Sequence, residues 1–251
     1  MAKEAPEDPF SGLADPSQLT TNIQTETLEL FDPSDEPDPA ALQEDATRAE
    51  AAALRNAGVS QVQSASAGYG RRRIHLAATN GFSAGYARSD RGLSCVAISG
   101  TGAGMERDYD YDSRVFQADL RDADEIGRIA AERAVERIGA KKPKTGAYPV
   151  LFDERVASAL IGSLLQATNG MMIARGSSWL RDAIGEQVLP DHLSIIEDPH
   201  RARVTGSRLF DAEGLATSRR AIVDNGVLTG WTLDLATARK LGLDSTANAA
   251  R

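Results

Sequence analysis

The residues of this chain whose chemistry suits catalysis are a serine between glycines, three histidines and one cysteine. Residues 81–85, GFSAG, match G-x-S-x-G, in which a serine nucleophile stands at a sharp turn between a strand and a helix. The residues that follow, YARSDRGLSCV, are typical of a strand instead, so we interpret these glycines as part of a β hairpin. A serine hydrolase is the weaker alternative, and it would use Ser83 with His75, His192 or His200.

The histidines and the single cysteine, Cys95, form no local metal-binding motif. No two histidines have the i, i+4 spacing that places both imidazoles on one helix face, and Cys95 has no metal-binding partner near it in sequence. Because the ligands of structural zinc sites are usually clustered, we expect scattered histidines here. A zinc site assembled from distant residues is the weaker alternative.

Alternating aspartates and tyrosines in MERDYDYDSR predict a strand with two different faces. Tyr109 and Tyr111 lie on one face. Since the spacing does not fit a calcium loop, we expect the carboxylates to be a solvated face of the strand. These carboxylates are Asp108, Asp110 and Asp112.

The overall composition limits the classes of partner. The chain has 251 residues, 36 acidic against 28 basic, and a formal charge of -8, which argues against attraction to nucleic acid or to an anionic membrane. No apolar run approaches the ~20 residues that span a bilayer, and the first residues do not resemble a secretory signal. We therefore expect a soluble cytoplasmic protein.

Three aspartates mark the starts of the helices that would position these side chains. Asp38, Asp122 and Asp153 each precede a helical pattern and are good N-caps, and Pro39 suits the first helical position. A fourth, short helix is predicted in LATARKLG near the end.

Strands are predicted between the helices. Asn80-Gly81 is a two-residue hairpin signal, YPVLF is a short strand, and HLSIIED, RRAIVD and VLTGWTLD follow. This order predicts an α+β fold: a helix plus antiparallel strands, then a helix followed by a mainly antiparallel β unit that resembles an incomplete barrel. We divide the chain into an acidic, proline-rich extended segment at 1–38, an α+β part of an N-terminal domain at 39–140, and the start of a C-terminal domain at 147–251.

Five segments carry a resemblance to a known family. GMERDYDY is followed in order by YPVLFDERVASALIGSLL, GSSWLRDAIGEQVLPDHLSI, FDAEGLATSRRAIVDNGVLTGW and ARKLGLDSTANAAR. The chain resembles the TldD/PmbA family, once called modulator of DNA gyrase, and most of all its PmbA half, also called TldE. Family members extend further at both ends, so we expect this chain to be a fragment.

The resemblance implies a function carried by two subunits. A TldD and a PmbA subunit form a heterodimer that degrades or processes unfolded peptides, and the TldD half holds zinc through an H-E-x-x-x-H helix and a later cysteine. When that helix is aligned with IGSLLQ, its positions fall on Ile161, Gly162 and Gln166, none of which binds zinc. We therefore expect no catalytic residue, no metal and no cofactor in this chain, and zinc in a TldD-like partner.

The resemblance also places the hairpin AIVDNGVLTGW beside the peptide groove and the partner subunit. From this we predict a peptide- or partner-binding site at Asp224, Asn225, Gly226 and Trp231, with the turn positioning an edge strand. In the alternative interpretation, the hairpin only closes the core sheet. A homodimer, or a peptide-binding module without a peptidase partner, also stays open as an alternative.

Overall fold

The computed structural model describes residues 6–250 and confirms the α+β prediction, with helices and two separate antiparallel sheets. Short 3-10 turns occur at Pro16–Gln18, Thr25–Leu28, Gly102–Gly104 and Gln117–Asp119. The helices and strands, in chain order, are α1 (Pro39–Leu54), β1 (Val59–Ala77), β2 (Ser83–Ser99), β3 (Glu106–Arg114), α2 (Ala123–Glu136), α3 (Glu154–Ala167), α4 (Gly170–Ala174), β4 (Ile195–Glu197), β5 (Arg220–Asp224), β6 (Val227–Leu228) and α5 (Leu235–Leu241).

The helix starts follow the predicted caps. The side chains of Asp38, Asp122 and Asp153 each accept a hydrogen bond from the backbone amide two residues on, which satisfies a donor that the first turn leaves free. The terminal helix α5 begins after Asp234 and ends at Gly242, whose φ of 68° is readily adopted by glycine. These helices are therefore confirmed where the sequence places them.

The first sheet has the order β1-β2-β3, and β1 and β2 form a hairpin around Asn80-Gly81 as predicted, although residues 78–82 and not two residues alone join the paired strands. Its core is built from small side chains, so helices α1 and α2 lie close to the strands and to each other. A Cβ on Gly127 of α2 would collide with the carbonyl oxygen of Ala49 in α1, which shows how close the two helices are. The core cluster contains Ala49, Ala53, Leu93, Cys95, Ala97, Ile126, Ala130, Ala131 and Ala134, among others.

The prediction of a solvated aspartate face on β3 is wrong. Asp108, Asp110 and Asp112 are 5%, 5% and 9% exposed, whereas Tyr109 and Tyr111 on the other face are 44% and 58% exposed. Arginines make the burial possible, because each inward carboxylate is paired with guanidinium groups. Arg137 and Arg155 pair with Asp108, Arg121 and Arg133 with Asp110, and Arg114 and Arg121 with Asp112.

The described part of the N-terminal segment contacts the folded core through a few apolar side chains. Leu28 and Leu30 are 2% and 3% exposed and pack in a cluster with Phe82 and Phe210. The carbonyl of Leu30 also accepts a hydrogen bond from the amide of Ser89 in β2. The segment therefore connects the first sheet to the loops of the second unit.

The second sheet has the order β4-β5-β6 and is short. Leu164 and Ala167 of α3 pack in one cluster with three residues of this sheet, Ile222, Val223 and Leu228. The prediction of a strand at YPVLF is wrong. Residues 148–152 are exposed and form no strand, and no described strand pairs with them. Between residues 6 and 250, no helix combines the length and apolar character needed to cross a bilayer.

Candidate functional site

Helix α3 presents the three positions that the resemblance singles out. The side chain of Ile161 is 39% exposed, and a Cβ added to Gly162 would meet no atom within 4 Å. Gln166 is exposed and is the second-to-last residue of the helix. Only Leu164 and Ala167 of this helix are buried, so most of its surface faces away from the described chain.

A cavity of about 510 Å³ opens between the C-terminal end of α3 and strand β4. Of the three positions on α3, Gln166 lines it and Ile161 and Gly162 do not. The apolar part of the wall includes Leu165, Met171, Ile195 and Ile222. The polar part is mostly neutral and includes Gln166, Asn169, Thr232 and Asn248.

Two carboxylates line the cavity, and both are engaged in the fold. Glu197 receives hydrogen bonds from Arg220 at 2.8 Å and from the Asn248 amide at 2.7 Å, and Arg208 lies 3.3 Å away. The second carboxylate, Asp234, caps α5 by accepting from the amide and hydroxyl of Thr237 at 2.8 and 2.6 Å. In the part of the chain from 6 to 250, no three His, Cys, Asp or Glu side chains cluster in a way that could hold a metal ion.

The predicted hairpin site follows β5, and none of its four residues lines this cavity. Asp224 and Asn225 are exposed, while Gly226 is buried with a φ of 82°. The Gly226 carbonyl accepts from the amides of Val188 and Leu189, and its own amide donates to Leu193. Trp231 is half-buried, and its indole donates to the carbonyl of Leu180 at 3.3 Å. A loop of the same chain therefore covers the turn, and only its tip, Asp224 and Asn225, faces outward.

The same loop covers one edge of the hairpin. The amide of Gly185 donates to the Leu228 carbonyl, and the amide of Leu228 donates to the Glu186 carbonyl. A further bridge joins Gln187 to Val227. The other edge strand of the sheet is β4, and its three residues line the cavity.

Two of the three histidines hydrogen-bond to hydroxyl groups. His75 Nε2 lies 3.1 Å from Ser83 Oγ across the β1–β2 hairpin, and both side chains are exposed. His200 Nε2 lies 3.1 Å from Thr217 Oγ1, and His192 is exposed beside Asp191. Ser83 begins a strand, so the strand–turn–helix geometry of a nucleophile elbow is absent at this serine.

The residues that the sequence interpretation missed are those of the cavity wall. HLSIIED was predicted as a strand, but its position at a sheet edge depends on which strands pair, and periodicity does not encode that. Asn169, which caps α4, lines the same cavity as β4. The Asn169-Gly170 dipeptide that ends α3 was the one signal that could have marked this corner.

Comparison with known proteins places both units in one family. Residues 32–138 match the description "PmbA/TldA metallopeptidase central domain", and residues 145–251 match "PmbA/TldA metallopeptidase C-terminal domain". The chain is 36% identical to Metalloprotease PmbA of Escherichia coli O157:H7 over 253 aligned residues, which cover 99% of this chain and 55% of that protein. It is 38% identical to a Metalloprotease PmbA homolog of Haemophilus influenzae, over 68% of this chain and 38% of that protein.

Solved structures agree. A Bacteroides thetaiotaomicron protein that carries the name modulator of DNA gyrase superposes with a TM-score of 0.91 at 29% identity, over 99% of this chain and 57% of that one. The chain thus spans little more than half the length of this relative and of the Escherichia coli protein. With both units matched and the fold superposed along nearly its whole length, the chain belongs to the PmbA/TldD metallopeptidase family.

Proposed function

We propose that this chain is a PmbA/TldE-type subunit of a zinc metallopeptidase that degrades or processes unfolded peptides, with the zinc and the hydrolytic step supplied by a TldD-like partner. The observation that carries the proposal is the chemistry of three positions on α3, namely Ile161, Gly162 and Gln166. Support for the PmbA side of the family comes from the names of the relatives in Escherichia coli and Haemophilus influenzae.

The side chains at these positions do not fit a catalytic zinc. Zinc in peptidases is held by imidazole, carboxylate or thiolate groups, and a nearby carboxylate serves as general base. An aliphatic side chain and a glycine offer no ligand atom, and the neutral amide of Gln166 is neither a usual zinc ligand nor a base. Peptide-bond hydrolysis is therefore assigned to the partner subunit in this proposal.

The contribution of this chain would be to bind the partner and hold peptide. Asp224 and Asn225, at the exposed tip of the β5–β6 hairpin, are proposed to contact the partner or its peptide, while Gly226 and Trp231 hold the tip in place through contacts within the chain. The partner would also cover the exposed face of α3, which includes Val156, Leu160 and Ile161.

Co-purification tests the proposal directly. The chain would be expressed alone and together with a TldD-like subunit that contains H-E-x-x-x-H, and each preparation assayed for zinc and for cleavage of an unfolded protein such as reduced casein. We expect no stoichiometric zinc and no cleavage from the chain alone, and a zinc-containing, active complex from the pair. Chelator-sensitive cleavage by the chain alone would overturn the proposal.

A stand-alone peptide-binding module is the second candidate, and one observation favours it. The cavity beside β4 is lined by apolar and mostly neutral polar side chains, which suit a peptide ligand. Failure to bind a TldD-like subunit, together with binding of peptide, would select this candidate over the first.

A further inference from the structure

We propose that helix α5 and the loop before β5 form a docking site for an extended segment with one small apolar side chain, and that residues 10–20 of the same chain occupy it as a displaceable ligand. These residues are called the strap below. Docking of the strap holds α5 in place, together with the part of the cavity wall that α5 carries. The proposal is carried by contacts between described residues and is independent of the proposed function.

Arg239 of α5 recognises the backbone of the strap. Its guanidinium group donates hydrogen bonds to the carbonyl oxygens of Phe10, Gly12 and Leu13, at 3.2, 3.1 and 2.7 Å. The side chain of Leu13 points away and is 53% exposed. Because a guanidinium group presents its donors in a fixed planar arrangement, Arg239 specifies the course of the strap backbone and not its side chains.

One small side chain of the strap is buried. Ala14 is 3% exposed and packs in a cluster with Leu215, Leu235 and Ala247. Its carbonyl oxygen accepts a hydrogen bond from the side-chain amide of Asn80, in the β1–β2 turn, at 3.0 Å. A larger side chain would have to displace these neighbours, and a charged one would lose its hydration, so the site selects a small apolar residue here.

The far end of the strap is held by backbone contacts. Leu19 forms an antiparallel bridge with Leu215, and the amide of Thr20 donates to the carbonyl of Gly214 at 2.9 Å. The intervening 3-10 turn, Pro16–Gln18, is exposed. Since most strap side chains are exposed, a few anchors at the two ends attach the strap, and a segment attached in this way can detach without global unfolding.

Helix α5 links the strap to the cavity. It has only seven residues, so Arg239 lies within two turns of Asp234 and Thr237, which line the cavity. Leu235, the first residue of the helix, packs against Ala14. Because so short a helix is unstable without tertiary contacts, release of the strap should loosen α5 and the cavity wall with it.

The first experiment tests whether the site binds the strap sequence from solution. In the full chain, Ala14→Arg empties the site, and Leu13→Arg adds the same side chain at the exposed neighbouring position as a matched control. The probe is a fluorescein-labelled peptide of residues 8–21, DPFSGLADPSQLTT, followed by fluorescence anisotropy. Circular dichroism checks that both variants are folded.

We expect the Ala14→Arg chain to bind this peptide. The wild type and Leu13→Arg should bind it at least about tenfold more weakly, because their own tethered strap competes at a high effective concentration. Adding Arg239→Met to the Ala14→Arg chain should weaken binding at least about tenfold by removing the three hydrogen bonds to the strap backbone. No binding by Ala14→Arg, or equal binding by the wild type, would overturn the proposal.

Hydrogen exchange tests the link to α5. Arg239→Met in the otherwise wild-type chain should raise the exchange rates of the Thr20 and Ala238 amides at least about tenfold, whereas Lys240→Met, at an exposed position of the same helix, should leave both unchanged. Ala14→Arg should raise both rates as well, and the added peptide should lower that of Ala238 again. Faster exchange in the strap with α5 unchanged would overturn the link.

Light scattering tests whether the strap docks within one chain. Docking on a second copy would make the wild type a dimer that Ala14→Arg converts to a monomer, and this result would overturn an intramolecular ligand. A wild type that is as monomeric as Ala14→Arg supports docking within the chain. None of these measurements includes a TldD-like subunit, so their outcome leaves the proposed function to its own test.

Discussion

Arg155 Nη1 lies 2.7 Å from Oδ1 of Asp108, so the first turn of α3 is paired with an aspartate buried under the first sheet. Arg155 also lies over the ring of Tyr109, with its Cζ atom 5.5 Å from the ring centre. These contacts join the two units that the family descriptions match separately, at residues 32–138 and 145–251. They hold the first turn of α3 against β3.

Removing this contact should destabilise the protein. We expect Arg155→Met to lower the free energy of unfolding by about 2 kcal/mol, less than for a buried charge left wholly unpaired, because Arg137 still pairs with Asp108. Urea denaturation measures the change. Arg128→Met, which breaks an exposed pair with Glu132, is the matched control and should change the free energy by less than about 0.5 kcal/mol. Equal effects of the two variants would contradict the structural role given to Arg155.

The carboxylate of Asp108 should make the stability of the fold depend on pH. Burial raises the pKa of Asp108, but hydrogen bonds from Arg155 and Arg137 outweigh this and hold the pKa at about 2, below the ordinary value of 3.8. Because the folded-state pKa is the lower one, the ionised carboxylate stabilises the fold above pH 3.8, and this contribution is lost as the pH falls toward about 2. Thermal unfolding between these pH values should therefore show a steeper decline for the wild type than for Asp108→Asn, and parallel curves would contradict it.

The covered turn at Gly226 gives a third prediction. A Cβ here would meet the carbonyl oxygens of Leu189 and Pro190, the latter at 2.8 Å, in addition to the strain of a φ of 82°. Gly185 has a similar φ of 87° but open space around the Cβ position. We expect Gly185→Ala to cost about 1 kcal/mol from backbone strain alone and Gly226→Ala clearly more. Urea denaturation measures the loss of unfolding free energy in both variants, and the difference between them is the steric contribution at Gly226. Equal losses would show that the loop moves aside without cost.

The contact between His75 and Ser83 gives a fourth prediction. The two side chains are 3.1 Å apart but exposed on an open hairpin, and no helix follows the serine. A fluorophosphonate probe should therefore label the wild type no more than the Ser83→Ala variant, as judged by mass spectrometry of the tryptic peptide. Stoichiometric labelling that Ser83→Ala abolishes would revive the serine hydrolase alternative.

Local signals predicted the helices and the first hairpin. They did not predict the features that depend on contacts between residues far apart in sequence. Asp38, Asp122 and Asp153 cap helices where expected, because an N-cap acts on amides two residues away. The aspartates of β3 were expected to be solvated, because the arginines that allow burial of Asp108 and Asp110 include residues 23 to 47 positions away. Alternation reveals that a strand has two faces, but not which one is buried when the buried residues are charged.

The candidate site shows the same division. The Asn225-Gly226 dipeptide suits the positive φ that both residues adopt, which are 45° and 82°. The loop from Gly185 to Leu193 that covers the turn, and the corner between α3 and β4, depend on tertiary packing of irregular segments. YPVLF has the composition of a strand, yet a strand needs a neighbour to pair with, and composition does not supply one.

The buried aspartates of β3 determine the position at which helix α2 docks along the strand. Two residues of a strand span about 6.8 Å and four residues of a helix about 6 Å, so Arg133 and Arg137 meet Asp110 and Asp108 at nearly matched intervals. If the helix slid by one turn toward either end, one of these aspartates would lose its arginine partner on α2 and would keep only Arg121 or Arg155, which disfavours the shifted position. Small, interchangeable alanines would tolerate many dockings, and the paired charges select one of them.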